Sequence, residues 1–302
     1  MMQPHKFKTI SDYHQFRGLP KPEHPLVSVV DFESITYLRD DEPNRIVQDF
    51  YVVALKKNVN CKMKYGQQEY DFDEGTMLFI SPGQVFSLEA SSQLTHTGWL
   101  LLVHPDFLWN TSLIKTIKRY EYFNYSVHEA LFLSEKEEIT ITTIFQNIAQ
   151  EYHSTIDKFS QQIIISQIET LLNYADRFYQ RQFITRQKAN SQILDRLEEI
   201  LNAHFNNISL PDRQLPSVQF VAESLNLSPN YLNGVLKTLT GQSTQQHIHE
   251  RLIEKAKEIL STTNLSVGEI AYELGFEYPQ SFSKLFKLKT NQTPLEFRST
   301  FN

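Results

Sequence analysis

Two stretches in the last third of the chain match one another at an offset of about 50 residues, and a repeat of that length constrains the fold more than any other feature of the sequence. Each copy has to be one small supersecondary unit. Ser217-Val218, Val221-Ala222, Leu225 and Leu227 correspond to Ser266-Val267, Ile270-Ala271, Leu274 and Phe276. Leu232 and Leu236 correspond to Phe282 and Phe286, and the run from Lys237 to Ser243 corresponds to the run from Lys287 to Thr293.

Within a copy the apolar residues fall at helical spacing, break, and resume: Val218, Val221, Ala222 and Leu225, then Tyr231, Leu232, Val235 and Leu236. This spacing predicts a helix, a short turn and a second helix. Capping chemistry marks the ends. Ser266 with Glu269 has the capping-box pattern, Ser228-Pro229 places a hydroxyl before a proline at the first helical position, and Gly241 and Asn291 suit the left-handed conformation that stops a helix. The small Ala222 and Ala271 allow the second helix to approach closely. Such a unit is a helix-turn-helix, whose second helix presents its outer side chains to the DNA major groove.

The second copy carries a more specific pattern. Ala271-Tyr272-Glu273-Leu274-Gly275-Phe276, then Ser281-Phe282-Ser283-Lys284-Leu285-Phe286-Lys287, then Thr293-Pro294 and Phe297-Arg298 resemble the AraC/XylS signature. The resemblance covers roughly the last third of the chain. It implies two helix-turn-helix units joined by a long linker helix in a transcription regulator that binds double-stranded DNA. That linker should lie over Thr244 to Leu260, where Ile248, Leu252, Ala256 and Ile259 form one stripe. At ~1.5 Å per residue it spans roughly 25 Å, suited to two helices reading major-groove segments about 34 Å apart.

Matched residue by residue, the resemblance places Gln280, Ser281 and Lys284 on the groove-facing side of the second reading helix and Lys287 beside phosphate. In the first unit the matching positions are Asn230, Asn233, Gly234 and Lys237. Glutamine pairs bidentately with adenine and lysine donates to guanine, whereas a phosphate contact positions the protein without reading sequence. Gly234 departs from the family, which often has an arginine or another long side chain there. A glycine cannot reach a base, so Asn230 and Asn233 are expected to carry the specificity of the first unit. Asn291 in place of glycine is a milder departure.

A net charge of -6 runs against the basic surface that phosphate contacts require. From Pro211 onward the nine basic residues are balanced by nine acidic ones, so the tail is neutral and the remainder acidic. Local placement has to do what net charge does not: Lys284, Lys287 and Lys289 cluster on the second reading helix. Modest affinity per monomer follows, with a homodimer supplying the rest through effective concentration.

Hydrophobic content of 40% with 21% charged residues is that of a globular protein, and no apolar run is long enough for a membrane span or a signal peptide, which points to the cytoplasm. The lone Cys61 excludes an intramolecular disulfide and reads as a buried strand residue. Residues 1–25, rich in proline and histidine, read as a loosely structured arm able to pack on the next domain. Over 26–133 short strand-like runs alternate with turns such as Asp73-Glu74-Gly75 and Ser81-Pro82-Gly83-Gln84, the spacing of a sandwich or barrel. A cupin-like jelly roll fits best, and the segment from Glu74 to Gln84 resembles AraC-type sensor domains. The fold class expected is therefore α+β, with an all-α C-terminal domain.

Catalytic cupins hold a metal through His-x-His on a strand. Here the His-x-His pair, His247 and His249, sits on a predicted helix, where positions two apart do not share a face. No metal, no cofactor and no catalytic residue is assigned. Tyr51, Lys62, Lys64, Phe79, Phe86 and Trp99 either line a barrel mouth for a small organic effector or are core aromatics and solvated lysines. Over 134–184 the period becomes helical, and Ile164, Ile168, Leu171, Ala175 and Phe178 have coiled-coil-like spacing. That stripe either packs on the barrel or pairs two copies; the resemblance favours a dimer interface. Polar residues 185–190 read as a hinge, and 191–302 as the DNA-binding domain, opened by a helix through Leu194, Leu197, Ile200, Leu201 and Phe205.

The function expected is a ligand-responsive, homodimeric, sequence-specific transcription regulator, acting as an activator in contact with RNA polymerase. The alternatives are a metal-independent cupin-type enzyme with an appended DNA-binding module, and a regulator controlled by a protein partner.

Overall fold

Strand-like alternation in the first half of the chain does produce a sheet. The computed structural model describes residues 5–35, 45–57, 63–65, 68–70, 75–85, 97–126, 129–155, 157–185, 187–206 and 214–301, and divides into the units Met1–Gln182 and Phe183–Asn302. In the first unit, β1 (His5–Phe7), α1 (Ile10–Phe16) and β2 (Val27–Asp31) are followed by β3 (Ile46–Gln48), β4 (Tyr51–Lys57), β5 (Met63–Tyr65) and β6 (Gln68–Tyr70). Then come β7 (Thr76–Ile80), β8 (Thr97–Val103), α2 (Leu113–Thr116), β9 (Leu131–Phe132), α3 (Glu135–Tyr152) and α4 (Ser160–Thr185), whose residues from Phe183 on belong to the second unit. Among the described residues the main sheet is antiparallel and five-stranded, in the order β2-β8-β4-β7-β9. β1 pairs with β3 in parallel, and β5 with β6 antiparallel.

Both faces of that sheet are buried, which explains the near-continuous apolar runs in β4 and β8. Val30, Val52, Ala54, Ile80, Leu100 and Leu102 form one face, packed with Phe7, Ile10, Tyr13, Leu19 and Phe50. The packing expected of this arm is present, but its looseness is corrected: residues 5–25 include a capped helix and form an ordered layer over the sheet. Its start is fixed by a capping box, in which Asp12 accepts from the Thr9 amide at 3.1 Å and Thr9 Oγ1 accepts from the Asp12 amide at 3.0 Å. Buried His14 ties the layer down. Its Nδ1 donates to the Pro20 carbonyl at 2.6 Å and its Nε2 meets Ser28 Oγ at 2.9 Å, while burial holds its pKa below the usual histidine range.

The opposite face carries Val53, Leu55, Met77, Phe79, Trp99 and Leu101, covered by Phe145 of α3 and by the aromatic residues Tyr122 and Phe123. α4 then closes on β9. Gln182, 1% exposed, accepts from the Phe132 amide at 2.8 Å and donates to the Ala130 carbonyl at 3.1 Å, so one side chain satisfies the edge of the sheet. Arg181 spans the Phe132 carbonyl and Glu137.

The stripe of α4 is spent inside the protomer. Ile164 (4%), Ile168 (3%), Leu171 (0%), Ala175 (0%) and Phe178 (7%) are buried within a single chain, which corrects their assignment to a dimer interface. An apolar period shows that one face of a helix is covered, not by what. Of the expected hinge, 187–190 belong to the first turn of the next helix and Arg186 lies outside the described residues. Cys61, Lys62 and Phe86 also lie outside them.

The second unit is helical: α5 (Gln187–Asn206), α6 (Val218–Ser224), α7 (Pro229–Thr240), α8 (Thr244–Thr262), α9 (Val267–Glu273), α10 (Pro279–Thr290) and α11 (Pro294–Ser299). Leu197, Leu201 and Phe205 of α5 share one core with residues from both repeats and with Ile248, Leu252, Ala256 and Ile259 of α8. Over 19 residues α8 is ~28 Å long. Gly268 occupies the second position of α9, and a Cβ there would meet only Ser266 Oγ at 3.9 Å and Pro279 Cγ at 4.0 Å. Gly268→Ala is therefore expected to stabilise this unit by about 0.5–1 kcal/mol, read as a raised urea midpoint with an unchanged slope.

Candidate nucleic-acid interface

Each repeat is built as its capping residues dictate. Ser217 Oγ accepts from the Phe220 amide at 3.1 Å at the start of α6, and Ser228 Oγ accepts from the Tyr231 amide at 3.2 Å at the start of α7. At α9, Ser266 and Glu269 cap one another at 2.7 and 3.2 Å. The Ser266 side chain, then its backbone amide, holds the Glu269 carboxyl below its usual range. Its contribution to stability is thus present at neutral pH and lost as pH falls through the lowered pKa. The turns inside the two units need a left-handed residue, supplied by Asn226 (φ 55°) and Gly275 (φ 92°), and the second helices stop at Gly241 (φ 76°) and Asn291 (φ 59°).

The inner sides of α7 and α10 hold the unit together. Leu232, Leu236, Phe282 and Phe286 are all 0% exposed. On α10 this leaves Gln280, Ser281, Lys284 and Lys287 outward and exposed. Among the described residues no carboxylate pairs with Lys237, Lys284 or Lys287, whereas on α8 Arg251 pairs with Glu254 and Lys255 with Glu258. Lys287 adds a small downward push to the pKa of Glu296, whose main partners are the Thr293 amide and hydroxyl.

The outer face of α7 differs. Lys237 is exposed, but Asn230, Asn233 and Gly234 are half-buried. Asn233 Oδ1 accepts from the Thr244 amide at 3.3 Å, so this side chain caps the linker helix α8. Periodicity holds no sign of that role, because the contact joins two elements across a turn. The repeat offset also sets Ser281 opposite Tyr231, which is buried at 7% and edge-on to Phe183 with ring centroids 5.2 Å apart, and Asn233 opposite Ser283. The two outer faces are therefore not copies of each other. Sequence reasoning also passed over Leu288, which is 74% exposed on α10.

In the first unit, Tyr51, Phe79 and Trp99 share one face of the sheet. Phe79 is 5% exposed among Tyr122, Phe123 and Tyr179, Tyr51 lies edge-on to Phe123 at 5.2 Å, and Trp99 stacks on Phe145 at 6.3 Å. Lys64 lies on β5 opposite Glu69. The pocket beside Phe79, bounded by Tyr122, Glu129 and Tyr179, holds about 10 Å³, the space of one water molecule. Among the described residues no three His, Cys, Asp or Glu side chains converge as a metal site. His247 and His249 serve separate partners, Thr240 Oγ1 at 2.9 Å and Gln245 Nε2 at 2.7 Å.

A helix-turn-helix domain model matches residues 221–300, spanning both repeats. The HTH-type transcriptional regulator YfiF of Bacillus subtilis is 26% identical over 242 residues, 78% of this chain and 72% of that protein. The HTH-type transcriptional activator RhaS of an Enterobacter species is 23% identical over 250 residues, 83% of this chain and 85% of that one. The chain belongs to the AraC/XylS family. A solved AraC-type DNA-binding regulator from Chromobacterium violaceum is 26% identical, covering 37% of this chain and 96% of that one, with a TM-score of 0.32. As an AraC-family member the chain is a DNA-binding transcription regulator, and no helix among its described residues is long and apolar enough to cross a membrane.

Proposed function

We propose that α7 and α10 read two segments of one duplex, with Gln280, Ser281 and Lys284 at base edges, Lys287 and Lys237 at phosphates, and Asn230 and Asn233 reading in the first unit. Gly234 lets the backbone of α7 lie close to the groove. One observation carries this reading: the lysines of α10 face outward with no acidic partner, opposite a helix side that is entirely buried. Selection of bound sequences from random DNA by the full chain tests it. Two short conserved blocks about one helical turn apart are expected; recovery of no enriched sequence sinks the proposal.

Lys284→Ala is expected to relax preference at one base position and to cost about 1–3 kcal/mol on the selected site. Lys287→Ala should weaken binding evenly across sequences and lower the salt slope by roughly 1. Fluorescence anisotropy on selected and scrambled duplexes at several salt concentrations separates the two.

The first unit, on this reading, is a cupin-like sensor in a cytoplasmic homodimer that activates transcription in contact with RNA polymerase; of these properties, activation alone is in the printed name of the relative RhaS. Domain limits of 1–25, 26–133, 134–184, 185–190 and 191–302 go with it. Pairing must use surface other than the buried stripe of α4, and sedimentation of the full chain should give twice the monomer mass. A small-molecule effector should raise the melting temperature of the first unit in a metabolite screen. The second reading is control by a protein partner, and a screen without any shift would support it.

A further inference from the structure

We propose that Leu288 is a base-reading residue of the second helix-turn-helix, packing its side chain against the 5-methyl group of a thymine in the major groove. The inference rests on the DNA-reading role proposed for α10.

Leu288 is the most exposed large apolar side chain among the described residues, at 74%. It adds nothing to the core of its helix, which is made by Phe282 and Phe286 at 0%. At about 100° per residue it lies roughly 20° around the helix from Ser281 and 40° from Lys284, so it stands on the outward face and not at its margin. Ser281, Lys284 and Leu288 have the i, i+3, i+7 spacing by which a homeodomain helix reaches successive base edges. The occupant of this face is set by charge. Lys284, Lys287 and Lys289 surround Leu288, all three are exposed, and none pairs with a carboxylate among the described residues. That arrangement fits a polyanion, and the apolar feature a duplex offers in its major groove is the thymine methyl. The corresponding position of the first repeat is the half-buried Thr238, so this apolar contact belongs to the second unit alone.

The test uses the full chain and a duplex taken from the sequences it enriches, with each thymine of the block read by α10 replaced in turn by deoxyuridine, which removes only the methyl group. One replacement is expected to weaken wild-type binding about fourfold, the size of one buried methyl. Leu288→Ala should lose at least that much on the unmodified duplex, respond no further to that replacement, and melt at the wild-type temperature because the side chain is exposed. Full affinity in Leu288→Ala, or weakened binding that keeps the wild-type response to every deoxyuridine, overturns the assignment while leaving DNA reading by α10 intact. Failure to enrich any sequence removes the underlying reading instead.

Discussion

Phe282→Ala is expected to unfold the DNA-reading unit at a temperature on the order of 10–15 °C below wild type, with the sheet unit melting where it did before. Phe282 is 0% exposed, with its ring 5.5 Å from Phe276 and 5.8 Å from Phe286. Truncating an aromatic ring in such a site costs about 3–5 kcal/mol, the transfer term plus the cavity left behind. For a unit of this size each kcal/mol moves the midpoint by a few degrees. The same ring turns Lys284 outward, because the two residues lie on opposite sides of α10. DNA binding should therefore fall with the folded fraction, and calorimetry of the full chain with and without selected duplex separates loss of fold from loss of contact. A single unshifted transition would contradict the placement of Phe282 in the core.

The second large effect lies in the sheet. Gly98 has φ 127°, and a Cβ there would drive into the carbonyl oxygen of Leu55, a backbone atom in the central pairing of β4 with β8. β4 cannot yield, because Leu55 and Lys56 are paired on its other side as well, with Met77 and Thr76 of β7. Gly98→Ala is expected to cost about 3 kcal/mol or more, seen as loss of the sheet unit at low urea. Gly83 is the control. Its φ of 79° is also left-handed, but nothing lies within 4 Å of an added Cβ, so Gly83→Ala should cost only about 1–2 kcal/mol. Equal effects at the two positions would show that backbone strain, and not the clash, dominates at Gly98.

What was legible in the sequence was what local chemistry controls. Ser228, Ser266 with Glu269, Gly241 and Asn291 cap or stop helices where expected, because a cap is formed by residues three or four apart. The apolar stripe of α8 was legible for the same reason. The N-terminal layer was misread because its prolines and histidines outweighed a capping box, Thr9 with Asp12, that lay in plain view. The stripe of α4 shows the limit of periodicity: it marked a covered face and could not say that the cover was the same chain. Asn233 is of a third kind. Its partner Thr244 lies across a turn, and nothing in the spacing of either residue announces the bond.

That bond shapes what the first unit can distinguish. Asparagine singles out adenine by presenting acceptor and donor together, the oxygen to N6 and the nitrogen to N7. With its oxygen turned to the start of α8, Asn233 would meet DNA, under the proposed role, through its nitrogen, and a lone donor meets N7 equally well on adenine or guanine. On the proposed reading, the position that Asn233 meets in the selected duplexes should accept either purine, whatever Asn230 requires beside it.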